Sequence, residues 1–522
     1  MKFKSKLLLA MGFCLLLNII SAQQFDSTYY NNLKWRNPVN ADVYKPAATK
    51  TISLHGVVYT LATSHVDSHM IWAYNDNGQI QVTSNNGKSW GKVAPPQIIS
   101  LHSILLVSTS YTDTNTAYLA INNVKDNDLS PHIFKTSDAG KSWKEIIHGL
   151  PNAPVYSIAV DTYRKGLLFA CSEKAIYFSA DDGAHWQSLQ LNMSAIPVRN
   201  LSIIDNDVVA IASDNSIWVL NDISPLRQLT PEQMKKPVIL YGPAPAYRGR
   251  IFPVFDTIFS DEELFNLVFP NGAIIDYYLK ERANVITIDI YDGASKLVRQ
   301  VTNLSKPGKK PILSGEAGAH RFVWDMRYEP IDEHDTATSV NATVANSPYM
   351  LPGIYTVSLR ANNVQEVQAF YLVMDAGVKA SADDLKQQYE LSMICYEQKK
   401  LMILGTDALN SLQGQITQLL PNVNDTLKIQ LKKISEKLYA LQSTPASSKN
   451  ESLNSLKQSD EILFNTLQSV DVAPSEQCAK EVNQLHNRFE KFGMLWDLVN
   501  ADIGNINRDL EAAGLRPLKI RQ

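Results

Sequence analysis

The sequence predicts a mainly β, multidomain chain: a β-propeller region of about four blades, a β-sandwich and a C-terminal α-helical bundle. Three observations carry this. An eight-residue turn pattern occurs three times at blade-like spacing. A second run of strand-like segments follows without that pattern. The apolar period then changes from two residues to about three and a half.

The repeated octet is Thr83-Ser84-Asn85-Asn86-Gly87-Lys88-Ser89-Trp90, then Thr136 to Trp143, then Ser179 to Trp186. Its pattern is Ser/Thr-x-Asp/Asn-x-Gly-x-Ser/Thr-Trp, with His185 the one departure. Each copy follows an apolar strand pattern and leads into another, so each reads as a hairpin turn. Asn85, Asp138 and Asp181 are placed to accept backbone N–H groups further along. Gly87, Gly140 and Gly183 supply a positive φ. Trp90, Trp143 and Trp186 bring large apolar surface between neighbouring sheets. The spacing of roughly 40 to 55 residues fits blades of four strands.

The octet resembles the Asp-box, or BNR repeat, of sialidases, sortilin-type receptors and propeller endoglucanases. That resemblance implies a structural role for Thr83, Asn85, Gly87, Trp90, Thr136, Asp138, Gly140, Trp143, Ser179, Asp181, Gly183 and Trp186, on the outer rim of each blade. A cation held by Asp138 and Asp181 is the alternative; Asn85 lacks the charge for a shared metal role.

From the N-terminus, Lys2, Lys4 and Lys6 precede an apolar run from Leu7 to Ile20 and then Ser21-Ala22. This reads as a secretory signal peptide over 1–22, cleaved near Ala22, so the chain is expected to be secreted, periplasmic or on the cell surface. Phe13 stands before Cys14 where a lipoprotein would carry a small residue. No later stretch is apolar enough to span a bilayer. A formal charge of −3 over 522 residues gives no electrostatic case for nucleic acid or an anionic membrane. Of the remaining cysteines, Cys171 reads as a buried strand thiol, while Cys395 and Cys478 could pair in an oxidising compartment. With no CxxC pair or Cys/His cluster, neither metal nor cofactor is expected.

Residues 23–235 read as the propeller region. The fourth blade, Val208–Ala212 and Ser216–Leu220, has no octet, and the segment from Tyr29 to Ala47 could add strands to help closure. The chain resembles a secreted bacterial family of sortilin-like, Asp-box-repeat proteins at Lys34-Trp35-Arg36-Asn37-Pro38 and from Asp181 through Leu229. In that family His-Gly-Arg precedes the last strand; here Ser213-Asp214-Asn215 stands there. By that comparison blades are missing before the first octet, so the chain reads as a shortened member.

Residues 236–376 carry strand candidates at Ala273–Leu279, Val285–Tyr291, Arg321–Asp325, Gly353–Leu359 and Gln368–Val373, with Tyr241–Pro245 as a linker. Pro270–Ala273, Gly318–Tyr328 and Pro352–Val357 resemble the Ig-like domain of the same family. Trp324 is expected in the core. Residues 377–522 read as helices. Ser381 to Asp384 is a helix start, with apolar faces at Leu385, Tyr389, Met393 and Tyr396, at Leu427 to Leu441, at Leu453 to Leu467 and at Val482 to Ile503. Gly514 is a stop. Short helices joined by polar loops suggest an intramolecular bundle; a coiled coil that self-associates is the alternative.

For chemistry, a glycosidase needs two facing carboxylates. Asp161, Asp205 and Asp207, after inner-strand candidates, are the available ones, and each is also an ordinary turn residue. Arg36, Arg164, Arg199 and Arg227 do not form the arginine triad that a sialidase resemblance would require. His65-Val66-Asp67-Ser68-His69 has zincin spacing without the Glu, and Asp126–Asp128 and Asn75–Gly78 lack a calcium loop's Glu. The reading is a non-catalytic binding protein for a protein or glycan, with a propeller glycoside hydrolase as the alternative.

Overall fold

In the computed structural model, residues 25–37, 58–75, 79–93, 104–173, 175–249, 272–304, 311–331, 347–443, 452–520 are described. The expected leader, Cys14, Pro38, Asp76–Gly78 and Pro270–Asn271 lie outside them. The chain divides into two compact units, Met1–Lys236 and Pro237–Gln522.

Among the described residues, the first unit holds four four-stranded antiparallel sheets. The first contains β2 (Val58–Thr63), β3 (Ile71–Asn75), β4 (Ile80–Thr83) and β5 (Gly91–Lys92). The second contains β6 (Ile104–Thr109), β7 (Ala117–Asn122), β8 (Ile133–Thr136) and β9 (Lys144–Glu145). The third contains β10 (Val155–Val160), β11 (Leu168–Ser172), β12 (Ile176–Ser179) and β13 (Gln187–Ser188). The fourth is built from β14 (Val198–Ile204), β15 (Asp207–Ala212) and β16 (Ile217–Leu220), and its outer strand is β1 (Trp35–Arg36). Trp35 pairs with Leu220 and Arg36 with Val219, so the N-terminal segment does add a strand, to the last sheet. First strands pack in succession, β2 on β6, β6 on β10 and β10 on β14. Meandering sheets joined through their first strands give the unit β-propeller character.

A repeated joint explains the octet's glycine and tryptophan. A Cβ on Gly140 would lie 2.3 Å from Val93 Cγ1, and one on Gly183 2.4 Å from Ile146 Cδ1. Val93 and Ile146 each stand three residues after the previous blade's tryptophan. The Trp186 indole N–H donates to Ile146 O at 2.7 Å. The octet-free fourth blade uses Trp35 instead. Its indole N–H donates at 2.8 Å to Leu189 O, again three residues after a blade tryptophan. At Gly87, an added Cβ would meet only its own Trp90, at 3.5 Å.

The second unit contains two sheets and a helical region. β17 (Val238–Leu240), β19 (Ala273–Leu279) and β22 (Gly318–Trp324) form the smaller sheet. β18 (Ala246–Arg248), β24 (Val364–Met374), β23 (Gly353–Ala361), β20 (Ile286–Tyr291) and β21 (Leu297–Thr302) form the larger, in that order. Both line one apolar core that includes Ile275, Ile288, Val357 and Trp324. Trp324 is fully buried, its indole N–H donating to Arg327 O at 2.9 Å. Tyr241–Pro245, expected as a linker, instead joins β17 to β18, one strand in each sheet. Neither flanking strand stands out in the sequence, because each has only three residues and two prolines and a glycine lie between them.

After the short helix α1 (Ser224–Gln228) of the first unit, the long helices are α2 (Ala382–Leu419), α3 (Asp425–Gln442), α4 (Leu453–Ser469) and α5 (Glu476–Ala512). The expectation of short helices is corrected: α2 has 38 residues and α5 has 37. Ser381 caps α2 in a capping box with Asp384. Of the first face, Leu385 and Tyr396 are buried as expected, while Tyr389 and Met393 are half-buried because the seam runs through Gln388, Leu391, Ser392 and Cys395. The α3 and α4 faces are buried as expected. One continuous apolar core joins all four helices. Cys171, Cys395 and Cys478 are free and buried, so the suggested pairing of the last two is not formed.

Candidate functional site

The three octets make the same hydrogen bonds. The first residue's hydroxyl donates to the third side chain at 2.8 Å in each copy, Thr83 to Asn85, Thr136 to Asp138 and Ser179 to Asp181. The same hydroxyl accepts the glycine N–H at 3.0, 2.8 and 2.9 Å. The third side chain accepts the seventh residue's N–H at 2.9 Å in each copy. At the departure from the pattern, the His185 ring meets Asp181 at 2.7 Å, where Ser142 Oγ reaches Asp138 at 2.6 Å. Hydrogen bonds from the Ser142 hydroxyl and N–H hold the Asp138 carboxyl down at about 2. The octet side chains thus satisfy their own turns. Among the described residues no cluster of three His, Cys, Asp or Glu side chains could hold a metal ion.

A second repeat, which the sequence reading missed, lies at the same end of the sheets. The loops between first and second strands are Ser64–Met70, Ser110–Thr116 and Asp161–Leu167, seven residues each. The first residue of each donates its N–H to the seventh residue's carbonyl, at 2.8, 3.0 and 2.9 Å. Its buried side chain turns the loop. Ser64 Oγ accepts from the N–H groups of Val66 and Asp67, Ser110 Oγ from Thr112, and Asp161 Oδ2 from Tyr163 and Arg164. Each loop is tied to its own octet. The N–H groups of Asn86, Ala139 and Asp182, all at left-handed φ, donate to His69, Asn115 and Gly166 carbonyls at 3.0, 3.0 and 2.9 Å. The detectable signal was Ser or Asp directly after each first strand.

This repeat accounts for Asp161. It stands where Ser64 and Ser110 stand, its side chain closed to solvent, and Arg227 of α1 grips it through Nη2 at 2.7 Å and Nε at 2.9 Å. Arg227 also donates to Asp205 O at 2.7 Å and to Asn206 Oδ1. Asp205 lies at left-handed φ in the two-residue turn between β14 and β15. Asp207 accepts from Asn221 Nδ2 at 2.9 Å and Asp222 N–H at 3.0 Å, and Asn221 in turn accepts from Arg36 of β1 at 2.7 Å. The structure therefore gives Asp161 and Asp207 fixed hydrogen-bonded partners and puts Asp205 in a turn. Arg164 donates to Leu226 O.

The loop repeat also presents an aromatic band. His65 stacks on Tyr111 of the next loop at 3.8 Å between ring centres. Burial, then the nearby Asp161 charge, pushes the Tyr111 phenol up. Tyr163 of the third loop lies over the Arg227 guanidinium at 4.6 Å and is 70% exposed, and Val66 is 49% exposed. Such a surface offers stacking and apolar contact. His65 to His69 is a loop, with Asp67 bonded to His69 at 2.8 Å, and Asp128 is bonded to His132 at 2.8 Å.

No family model matches the chain, and no curated protein matches it. Among solved structures it is similar to YCF48 bound to a D1 peptide, at 19% identity and TM-score 0.24, over 37% of this chain and 54% of that one. An ancestral GH74 enzyme is similar at 14% identity and TM-score 0.25, over 49% and 33%. A catalytically inactive virginiamycin B lyase from Staphylococcus aureus is similar at 13% identity and TM-score 0.25, over 37% and 60%. This chain spans about half the length of the first of these. These neighbours are β-propeller proteins; the propeller character of the first unit rests on its own four sheets. Among the described residues no helix is long and apolar enough to cross a membrane.

Proposed function

We propose that the chain is a secreted, non-catalytic binding protein that engages a protein or glycan through the loop face of its blades. The octets act as Asp-box turns that fix the outer strands of the first three blades, the sandwich is an Ig-like spacer, and the four long helices form the tail. The observation that carries this reading is the band His65–Tyr111 and Tyr163–Arg227 on a repeated loop. Its exposed groups suit contact, while its innermost carboxylate, Asp161, is closed to solvent by Arg227. A carboxylate whose oxygens are taken up by an arginine and two backbone N–H groups is a poor general acid or base, because its lone pairs are used.

The test is a glycan microarray and a peptide array probed with the mature chain, followed by titration of any hit. Tyr163→Ala and His65→Ala are expected to weaken binding about tenfold or more while leaving the melting temperature nearly unchanged. Turnover of aryl glycosides by the wild-type chain would overturn the non-catalytic reading.

A further inference from the structure

The larger sheet of the second unit has one face on the apolar core and one facing outward. A mainly antiparallel sheet with one solvated face ordinarily alternates apolar inward and polar outward; only β18 here runs parallel to its neighbour. β24 does not. Phe370 and Leu372 point into the core, yet Val367, Ala369, Tyr371 and Val373 occupy the outward positions. A strand apolar on both faces reads as one covered on both. Register extends the outward apolar row across neighbouring strands. Ile354 of β23 pairs with Tyr371, and Tyr247 of β18 pairs with Val373. Tyr247 is 65% exposed, Tyr371 58%, Ile354 and Val367 51% each, and Val373 38%.

We propose that this sheet face is a self-association surface on which two copies of the chain pack face to face about a two-fold axis. The patch offers on the order of 500 Å² of surface, taking 150–250 Å² for a fully exposed large side chain, which is at the upper end for a monomer. Two copies would bury about 1,000 Å², the lower limit for a specific interface, so the dimer is weak. A two-fold contact sets each residue against the same patch, and this patch contains no charged side chain that would meet its like. Around the central Tyr371 the row carries Ile354, Val367, Ala369 and Val373, aliphatic contacts that suit an apolar protein surface.

Sedimentation equilibrium of the mature full chain, from about 1 to 200 µM, tests this. A monomer–dimer equilibrium with Kd on the order of 10–100 µM, inside that range, is expected. Tyr371→Lys and Val367→Glu, made separately, are expected to weaken it at least tenfold, with melting curves within a degree or two of wild type because both positions are exposed. A monomer throughout the range would overturn the proposal. So would a dimer that survives both substitutions but is lost with Met494→Lys and Leu498→Lys on α5, which would place association on the helices. Retention on an insoluble polysaccharide, lost in Tyr247→Ala and Tyr371→Ala while the chain stays monomeric, would reassign the face to a glycan.

Discussion

Asp460 makes the stability of the helical region depend on pH in an unusual direction. It lies on α4, 1% exposed, and neither carboxylate oxygen meets an N–H or O–H donor. Burial pushes its carboxyl up to about 7, offset only in part by Lys399 and by the neighbouring Cys395 thiol, a weak donor. In the unfolded chain it titrates near its ordinary value of 3.8. Because the folded-state value is raised, the unfolded chain loses its proton first. Stability from this group is therefore complete below about pH 4, declines as pH rises toward 7, and is flat above. A displacement of about three pH units corresponds to roughly 4 kcal/mol. Asp460→Asn removes the ionisation but leaves a buried amide to be satisfied, which costs about 1–3 kcal/mol. A net gain of about 2 kcal/mol at pH 8 is expected, several degrees in melting temperature. At pH 4, where Asp460 is already neutral, no gain is expected. Thermal melts of wild type and variant, followed by the helical circular dichroism signal from pH 4 to 8, measure this as a widening difference. Parallel curves across that range would refute the argument, whatever the other carboxylates do.

Three further outcomes follow from packing. Gly183→Ala puts a methyl 2.4 Å from Ile146 at φ +84, so it is expected to destabilise the first unit by about 2–3 kcal/mol in urea titrations; Gly87→Ala, with only its own Trp90 nearby, should cost about 1 kcal/mol. Trp35→Ala removes a fully buried side chain and its hydrogen bond to Leu189, and a loss of about 3–5 kcal/mol with early proteolysis near the fourth sheet is expected. Asp471→Ala removes the carboxylate that neutralises the buried Arg248 guanidinium, in an ion pair whose two side chains are each 2% exposed. About 3–5 kcal/mol should be lost, read by denaturation of the second unit, and Asp471→Asn should restore part of it.

The octets were legible because a turn that satisfies itself needs few residues at fixed spacing. Thr136, Asp138, Gly140 and Ser142 contact one another, so their pattern survives in the sequence alone. The helical faces at Leu427 to Leu441 and Leu453 to Leu467 were legible for a related reason, since period and burial coincide along one element. The seven-residue loops were harder. Ser64, Ser110 and Asp161 do the same work with two chemistries, and one serine in a polar loop looks like any other.

What the sequence determined by itself was local: the turns, the strand and helix periods, and the order of β regions before helices. Tertiary structure decided whatever depends on residues far apart in the chain. Trp35 takes the place of a missing octet tryptophan because β1 pairs with β16, 185 residues along. Asp161 became a loop anchor rather than an available carboxylate because Arg227, 66 residues later, reaches it. The outward apolar row on β24 gained its breadth from the registers with β18 and β23. A sequence records the chemistry of each side chain, but whether a charge is free or neutralised, and a face covered or open, is set by the partner that folding brings to it.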